Sequence, residues 1–455
     1  MWVVLKFGGT SVSTVPRWQR ICNRVTQVLE EDGHPRVWVV ISALTQVTNR
    51  LTQALADAIS GTNHLKCYLE IFDQHIALAL EHNLLSADAA AILVEHEHAN
   101  RALSPDNVPP VLASLIHEFQ NVRRVLDGIR LTEEASPRLR ARMLAFGELL
   151  STHLGLEIMK QAGLDRVVRV DSRQEGRLDD ASGGATVVLS QGFIAGVVAH
   201  TGKLDVVETC VLGRGGSDTS GALFAAALQA LRYEIWTDVH GMYTSDPRYV
   251  PHARLLRKLD YREAQELAAM GAKVLHPRCI GPAHWANVPV EIRNTNDPHG
   301  EKTVIGHMED SGSPKFSVSA TLDHIPGGVE GTSFALLLIA LERLGSVAVV
   351  SSCATVSIVG RHLRTSLGEL GHLFELLEGT EVLLLSESAE DLNLSFVVRD
   401  SDADGLVQRM HAALFPPPEN AFSSPMRRSI SRDDLLGSSW AELRAPSTPM
   451  TNLLL

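Results

Sequence analysis

The sequence is poor in the features that define several functional classes. Five cysteines, Cys22, Cys67, Cys210, Cys279 and Cys353, are spread over 455 residues. Their odd number and the lack of any CxxC spacing argue against a disulfide framework, and reduced thiols in a cytoplasmic protein are the expectation. Basic residues are in the minority, 41 against 53 acidic ones, and the resulting charge of −12 argues against nucleic acid or an anionic membrane as main partner. No apolar run approaches the roughly 18 residues of a bilayer span. The amino terminus also lacks a basic segment leading into an apolar signal core. No GxxxxGK[ST] occurs, so a bound phosphate would be held without a P-loop. What is left is the composition of a globular protein with ample core, 45% hydrophobic and 21% charged.

Residues 1–60 read as strand, glycine turn, helix, a second apolar strand RVWVVISA (36–43) and another helix. Continuous apolar strands alternating with helices predict a parallel sheet covered on both faces. Residues 60–160 are rich in Ala, Leu, Glu and His and read as a helical excursion. Its six histidines between 64 and 117 lack zinc-site spacing, so a solvated helical face is the expectation. The strand pattern resumes with RVVRV (166–170), TVVLSQGFIAG (186–196), EIWTDV (234–239) and VPVEIRN (288–294). Asp260 and Glu263 predict a capping box for a helix running to Met270. Four segments follow from this reading: an α/β region over 1–306, a Gly/Ser/Pro linker over 307–315, a smaller module over 316–415, and a disordered tail over 416–455.

Several turns end apolar strands, where open α/β sheets place their ligands. In KFGGTS (6–11), Gly8 and Gly9 let backbone N–H groups approach an anion and Lys6 adds a charge; a plain strand-to-turn junction is the alternative. In CVLGRGGSDTSG (210–221), Gly213, Gly215 and Gly216 precede a small-residue helix start that suits phosphate oxygens, and Arg214 offers a fork for a carboxylate. A glycine turn with Asp218 as a helix cap is the bland reading. Ser42 and Thr48 stand around the end of the second strand, as site hydroxyls or as ordinary cap chemistry. In EIWTDVHGMYTSDPR (234–248), Thr237, Asp238, Tyr243 and Arg248 suit a nucleobase and ribose, or simply a well-formed loop. Glu148 has small or apolar neighbours at helical spacing and so needs a partner, a ligand ammonium or a structural arginine. Lys273 is either a phosphate-facing cation or a surface lysine.

Taken together, KFGGTSV, GELLS, SQGFIAG, LGRGGSDTS, WTDVHGMYTSDPR and GAKVLHP stand in the order found in aspartate kinases, which the chain resembles over 1–305. Beyond 316 it resembles the regulatory ACT part of that family, and in detail the aspartokinase portion of fused aspartokinase–diaminopimelate decarboxylases. The resemblance implies an α/β amino-acid-kinase fold, three αβα layers on a mainly parallel sheet, followed by a small α+β ACT-type region. It implies transfer of phosphate from ATP, with Mg2+ on its phosphates, to the side chain of L-aspartate. No metal held by protein ligands alone is implied.

Carried onto matching positions, Lys6 and Asp218 would be catalytic. Ser42, Thr48, Glu148, Arg214 and Ser217 would hold the amino acid. Lys6, Gly8, Gly9, Gly215, Gly216, Thr237, Asp238, Tyr243, Arg248, Lys273 and Val274 would hold ATP. A homo-oligomer, specifically a dimer, and a lysine or threonine effector are implied as well. Aspartate kinases carry two ACT units, whereas here the linker runs straight into 316. One unit, about 353–415, reads as complete, and 316–351 as part of its companion. A kinase for another small substrate, or an amino-acid sensor with a dormant kinase fold, are the competing readings.

Overall fold

The computed structural model describes residues 1–101, 108–174, 183–200, 205–271, 274–307, 317–322 and 331–416. The expected linker and tail, and Lys273, therefore lie outside the described residues, apart from His307 at the start of the one and Pro416 at the start of the other. The strands are β1 (Trp2–Phe7), β2 (Arg36–Ile41), β3 (Val167–Val170), β4 (Val187–Gln191), β5 (Ile194–His200), β6 (Asp205–Val211), β7 (Arg232–Thr237), β8 (Lys258–Leu259), β9 (Val290–Asn294), β10 (Thr303–Ile305), β11 (Ser317–Leu322), β12 (Cys353–Val359), β13 (Leu384–Glu387) and β14 (Asn393–Arg399). The helices are α1 (Val15–Leu29), α2 (Val47–Ile59), α3 (Leu65–Glu81), α4 (Ala87–His98), α5 (Ala113–Thr132), α6 (Pro137–Gln161), α7 (Gly216–Ala227), α8 (Tyr261–Ala269), α9 (Ile280–Trp285), α10 (Gly331–Glu342), α11 (Leu367–Glu375) and α12 (Asp400–Leu414).

An eight-stranded sheet runs β3-β4-β2-β1-β7-β9-β10-β8. It is parallel from β3 to β9, with β10 antiparallel to β9. The apolar runs of β1 and β2 are buried on both faces as the parallel arrangement requires. Val3, Leu5 and Phe7 face the core built by α1, α2, α3, α5 and α6. Trp2 and Val4 face the opposite core with Ala222 and Ala225 of α7 and Leu267 of α8. The chain passes from β1 to β2 on one side and returns through β7 on the other. The carboxyl end of β1 is thus a switch point, the place where such sheets open a crevice. The capping box at the start of α8 is present: Asp260 accepts from the backbone of its first turn, and Glu263 accepts from the Asp260 N–H.

The histidine-rich excursion departs from the expected solvated face. His75 has no exposure; its spacing places it with Tyr68, Ile71 and Phe72 on the inner side of α3. Its Nδ1–H donates to the Ile71 carbonyl at 2.8 Å, and its ring meets Phe119 edge-on. Burial holds it neutral, with its pKa lowered to about 4. Glu97, between the histidines of EHEH, is also buried, paired with Arg123 at 2.7 Å and Tyr68 Oη at 2.8 Å.

The smaller module extends beyond the unit expected at 353–415. Its antiparallel sheet runs β11-β12-β14-β13, and α11 and α12 supply its core with Leu370, Leu373, Leu406 and Met410. Residues 353–414 provide only three strands. The fourth, β11, comes from the segment read as an incomplete companion, and it covers the edge of β12 that would otherwise expose unpaired backbone groups. The module is tied to the kinase-type region by Thr244 Oγ1 and His411 Nε2 at 2.9 Å, Arg361 and Glu263 at 3.0 Å, and Asn393 and Glu266 at 2.7 Å.

One buried charge anchors α1 to the sheet. Glu234 on β7 has no exposure and accepts from Arg24 at 2.6 Å, Arg232 at 2.7 Å and the Trp236 indole at 3.0 Å. Burial alone would raise this carboxyl, but the hydrogen bond and charge of Arg24, with Arg293 and Arg232, outweigh it and hold the group at about 2. Its stabilisation is therefore complete above the ordinary carboxyl value and lost as pH falls toward 2. Glu234→Ala, which leaves Arg24 and Arg232 only the part-exposed Glu31, should cost about 3 kcal/mol at pH 7 in denaturant unfolding. Wild-type stability should also fall more steeply than the variant's below about pH 4.5; parallel profiles would contradict the assignment.

Candidate active site

The ends of β1, β2 and β7 emerge side by side. Phe7 pairs with Ile41 and with Trp236, so Gly8 and Ser42 leave the sheet beside Thr237, the last residue of β7. Gly9 permits a close approach between two of these exits. A Cβ there would lie 2.7 Å from the Ala43 carbonyl oxygen. Ser13 locks the contact: its hydroxyl donates to the Gly9 carbonyl at 2.7 Å and accepts from the Thr45 N–H at 2.8 Å. Lys6 reaches out of β1 to Asp218, with Nζ 2.6 Å from Oδ1.

Asp218 belongs to the first turn of α7, which the Gly-Arg-Gly-Gly turn introduces. Gly213 and Gly215 adopt φ of 75° and 68°, the left-handed region that glycine enters without strain. Arg214 between them is exposed and makes no ion pair among the described residues. Ser42 Oγ donates to Ser217 Oγ at 2.9 Å, joining the β2 exit to the same helix start. The first-turn amides of α7, Lys6 and Arg214 thus form a positive rim at the switch point.

Opposite lies Glu148 on α6, 3% exposed. Its Oε1 accepts from the Ala43 N–H at 3.3 Å, while Oε2 is buried and has no hydrogen-bond partner among the described residues. Ser151, one turn on, donates to the Ser42 carbonyl at 2.8 Å. Burial pushes the Glu148 carboxyl up to about 8, with only backbone N–H groups opposing it. No arginine pairs with it among the described residues, so burial is met by holding the carboxyl protonated, and a bound cation would be what ionises it.

The structure therefore brings Lys6, Gly8, Gly9, Ser42, Glu148, Gly215, Gly216, Ser217 and Asp218 into one neighbourhood, with Arg214 on its rim. Thr48 is half-buried in the first turn of α2. Thr237 and Asp238 border the β1 exit and bond each other at 3.1 Å. Tyr243 bridges Leu255 further along the loop, Arg248 folds back onto Asp246 at 2.9 Å, and Val274 packs beneath, against the second core. Sequence reasoning missed the seam that ties these loops together: Ser13 and Thr45, and Ser11 with Thr295 at 3.0 Å. Their hydroxyls look like any cap residues until the loops are adjacent.

The fold and site together define a phosphotransferase class, and the comparisons agree. The Amino acid kinase family matches residues 1–294 and the ACT domain matches 356–414, so the chain belongs to the amino acid kinase family. Within it, the chain is similar to aspartokinases. It is 28% identical to the lysine-sensitive aspartokinase 3 of Escherichia coli over 91% of this chain and 99% of that protein. It is 30% identical to the bifunctional aspartokinase/homoserine dehydrogenase of Haemophilus influenzae over 88% of this chain, spanning only 45% of that relative. The chain spans about half the length of such bifunctional relatives. Crystalline E. coli aspartokinase III with aspartate and ADP superposes with a TM-score of 0.67 at 24% identity, covering 91% of this chain and all of that one, a likeness of fold.

Because Glu148 binds its proton more tightly folded than unfolded, its contribution to stability is largest below the ordinary carboxyl value and declines as pH rises to about 8. Glu148→Gln should therefore be more stable than wild type at pH 9, by about 2–4 kcal/mol, and match it at pH 5. Denaturant unfolding at both pH values checks this; equal stability at pH 9 would contradict the uncompensated burial.

Proposed function

We propose that this chain is an aspartate kinase, transferring the γ-phosphoryl group of ATP to the side-chain carboxylate of L-aspartate to give 4-phospho-L-aspartate. This is the first step toward lysine, threonine and methionine. The observation that carries the reading is Glu148, a buried carboxyl with one oxygen unpartnered, set in the same cleft as the Lys6–Asp218 pair and the Gly-Arg-Gly-Gly turn. An amino-acid ammonium supplies the missing charge, and Arg214, Ser42, Thr48 and Ser217 hold the carboxylates. The relatives named aspartokinases, one of them crystallised with aspartate and ADP, support the same substrates.

The acceptor carboxylate carries no proton at neutral pH, so the reaction needs no general base. Its oxygen forms the new bond to the γ-phosphorus as the bond to the ADP oxygen breaks. Lys6, oriented by Asp218, and the amides of Gly8, Gly9 and Gly215 offset the charge spread over the transferring group, while the Gly216 N–H donates to the Gly213 carbonyl at 2.9 Å and holds the turn in shape. Thr237, Asp238, Tyr243, Arg248 and Val274 are assigned to the nucleotide side, and Lys273 to the same role on the resemblance alone. Among the described residues no cluster of three or more acidic, His or Cys side chains is placed to hold a metal ion. Mg2+ would ride on the ATP phosphates and supply charge neutralisation there.

Each chain has one four-stranded ACT sheet among its described residues, so a paired effector site requires a second copy. The edge strand β13 exposes Leu384 and Leu385, and α10 exposes Leu336, Leu337 and Ile339, which suits self-association, specifically a homodimer. Lysine is the effector we favour over threonine, since the E. coli relative is named for lysine sensitivity. The two amino acids are to be compared in one inhibition titration. A cytoplasmic location fits a chain in which no described helix is long and apolar enough to cross a membrane.

Incubation with ATP, Mg2+ and L-aspartate should yield an acyl phosphate trapped as hydroxamate, with L-glutamate far poorer. Lys6→Ala should lower kcat by about 10²–10³-fold with an unchanged fold by circular dichroism. A folded wild type that makes no hydroxamate contradicts the reading.

A further inference from the structure

The Gly-Arg-Gly-Gly turn rests against the end of the GAKVLHP motif, whose histidine has so far been given no role of its own. After α8 the chain enters the short 3-10 turn Pro277–Cys279, whose N-cap is His276. His276 lies against Gly215: a Cβ at that glycine would overlap the Cβ and ring carbons of His276. Two residues on, Arg278 Nη1 donates to the Leu212 carbonyl at 3.3 Å, at the other end of the same turn. The buried Cys279 bonds the His276 carbonyl at 2.9 Å and closes the grip.

We propose that His276 is a positioning residue for phosphoryl transfer, its ring wedged under Gly215 so that Arg214, the first-turn amides of α7 and Asp218 are held on the substrate side of the turn. The inference rests on the aspartate-kinase reading for its turnover arm but not for its nucleotide arm. Three observations carry it. The left-handed Gly215 has no side chain of its own to fix its position, so the surface it rests on decides where the next residues go. That surface is a flat ring rather than a flexible chain. His276 is also set in place by its own backbone: Nδ1 accepts from the Arg278 N–H at 3.3 Å, which leaves the proton on Nε2 in the neutral ring.

The charged groups around His276 come from both sides of the contact. Arg278 belongs to its own segment, and Asp218 and Arg214 belong to the turn and helix it supports. Burial and Arg278 lower its pKa, Asp218 opposes them, and Arg214 adds to the lowering. A neutral ring leaves the Asp218 charge to Lys6; an imidazolium would compete for it.

Two substitutions separate the ring from the cap. His276→Asn keeps a cap acceptor for the Arg278 N–H but removes the ring. His276→Phe keeps a flat ring against Gly215 but removes the acceptor. In the full chain, His276→Asn should weaken MgADP binding measured by calorimetry about fivefold or more and lower kcat for aspartate about tenfold or more. His276→Phe should stay within about threefold of wild type in both. The calorimetric arm stands even if aspartate proves the wrong acceptor. A folded Asn variant that binds MgADP like wild type, or a Phe variant as impaired as the Asn variant, would overturn the proposal.

Discussion

A single ion pair, Lys6 with Asp218 at 2.6 Å, joins the end of the central strand to the start of the helix that follows the β5–β6 hairpin. The two groups lie more than two hundred residues apart and reach each other because β1 sits where the strand order reverses. Neither side chain is free to wander: the lysine leaves a strand whose other residues are buried, and the aspartate is part of the first helical turn behind two left-handed glycines. A cation held this way, beside free amide groups, offers preorganised charge where a phosphoryl group would pass. The rest of the site is arranged around that point, with Ser42 bonded to Ser217 on one flank and Glu148, one oxygen unpartnered among the described residues, on the other.

The same logic explains why so many small residues converge here. Gly9 lets the first exit turn touch the second, and Gly215 lets the helix start rest on the His276 ring. Seryl and threonyl hydroxyls then stitch the loops without adding bulk, as Ser13 does between Gly9 and Thr45. A cleft built from backbone and hydroxyls is suited to a polyanion beside a small polar acceptor, because charge is balanced by donors that need no reorganisation.

Much of this was legible in the sequence, because its determinants are local. Continuous apolar runs at β1 and β2 announce a buried parallel sheet, glycines mark the strand exits, and the Asp260–Glu263 spacing marks a helix start. Glu148 was legible as a carboxylate lacking a partner, since helical spacing shows what surrounds it. Other features were hidden because they depend on which distant segments meet. His75 reads as polar by type, yet its place on the inner face of α3 buries it. The pairing of β11 with β12 is a non-local choice that no periodicity encodes, so the ACT-type sheet is completed by a strand that had been read as belonging elsewhere. His276 under Gly215 is a contact between two unremarkable loops, visible only in the folded chain.

The coupling between Lys6 and Asp218 is the most direct point of attack. A double-mutant cycle on kcat with Lys6→Ala, Asp218→Asn and both together measures whether the two act as one unit. Strong non-additivity is expected, with the double variant no slower than about threefold below the worse single variant. Losses that simply multiply in a folded protein would show that the lysine works without the aspartate, and would contradict the site as described.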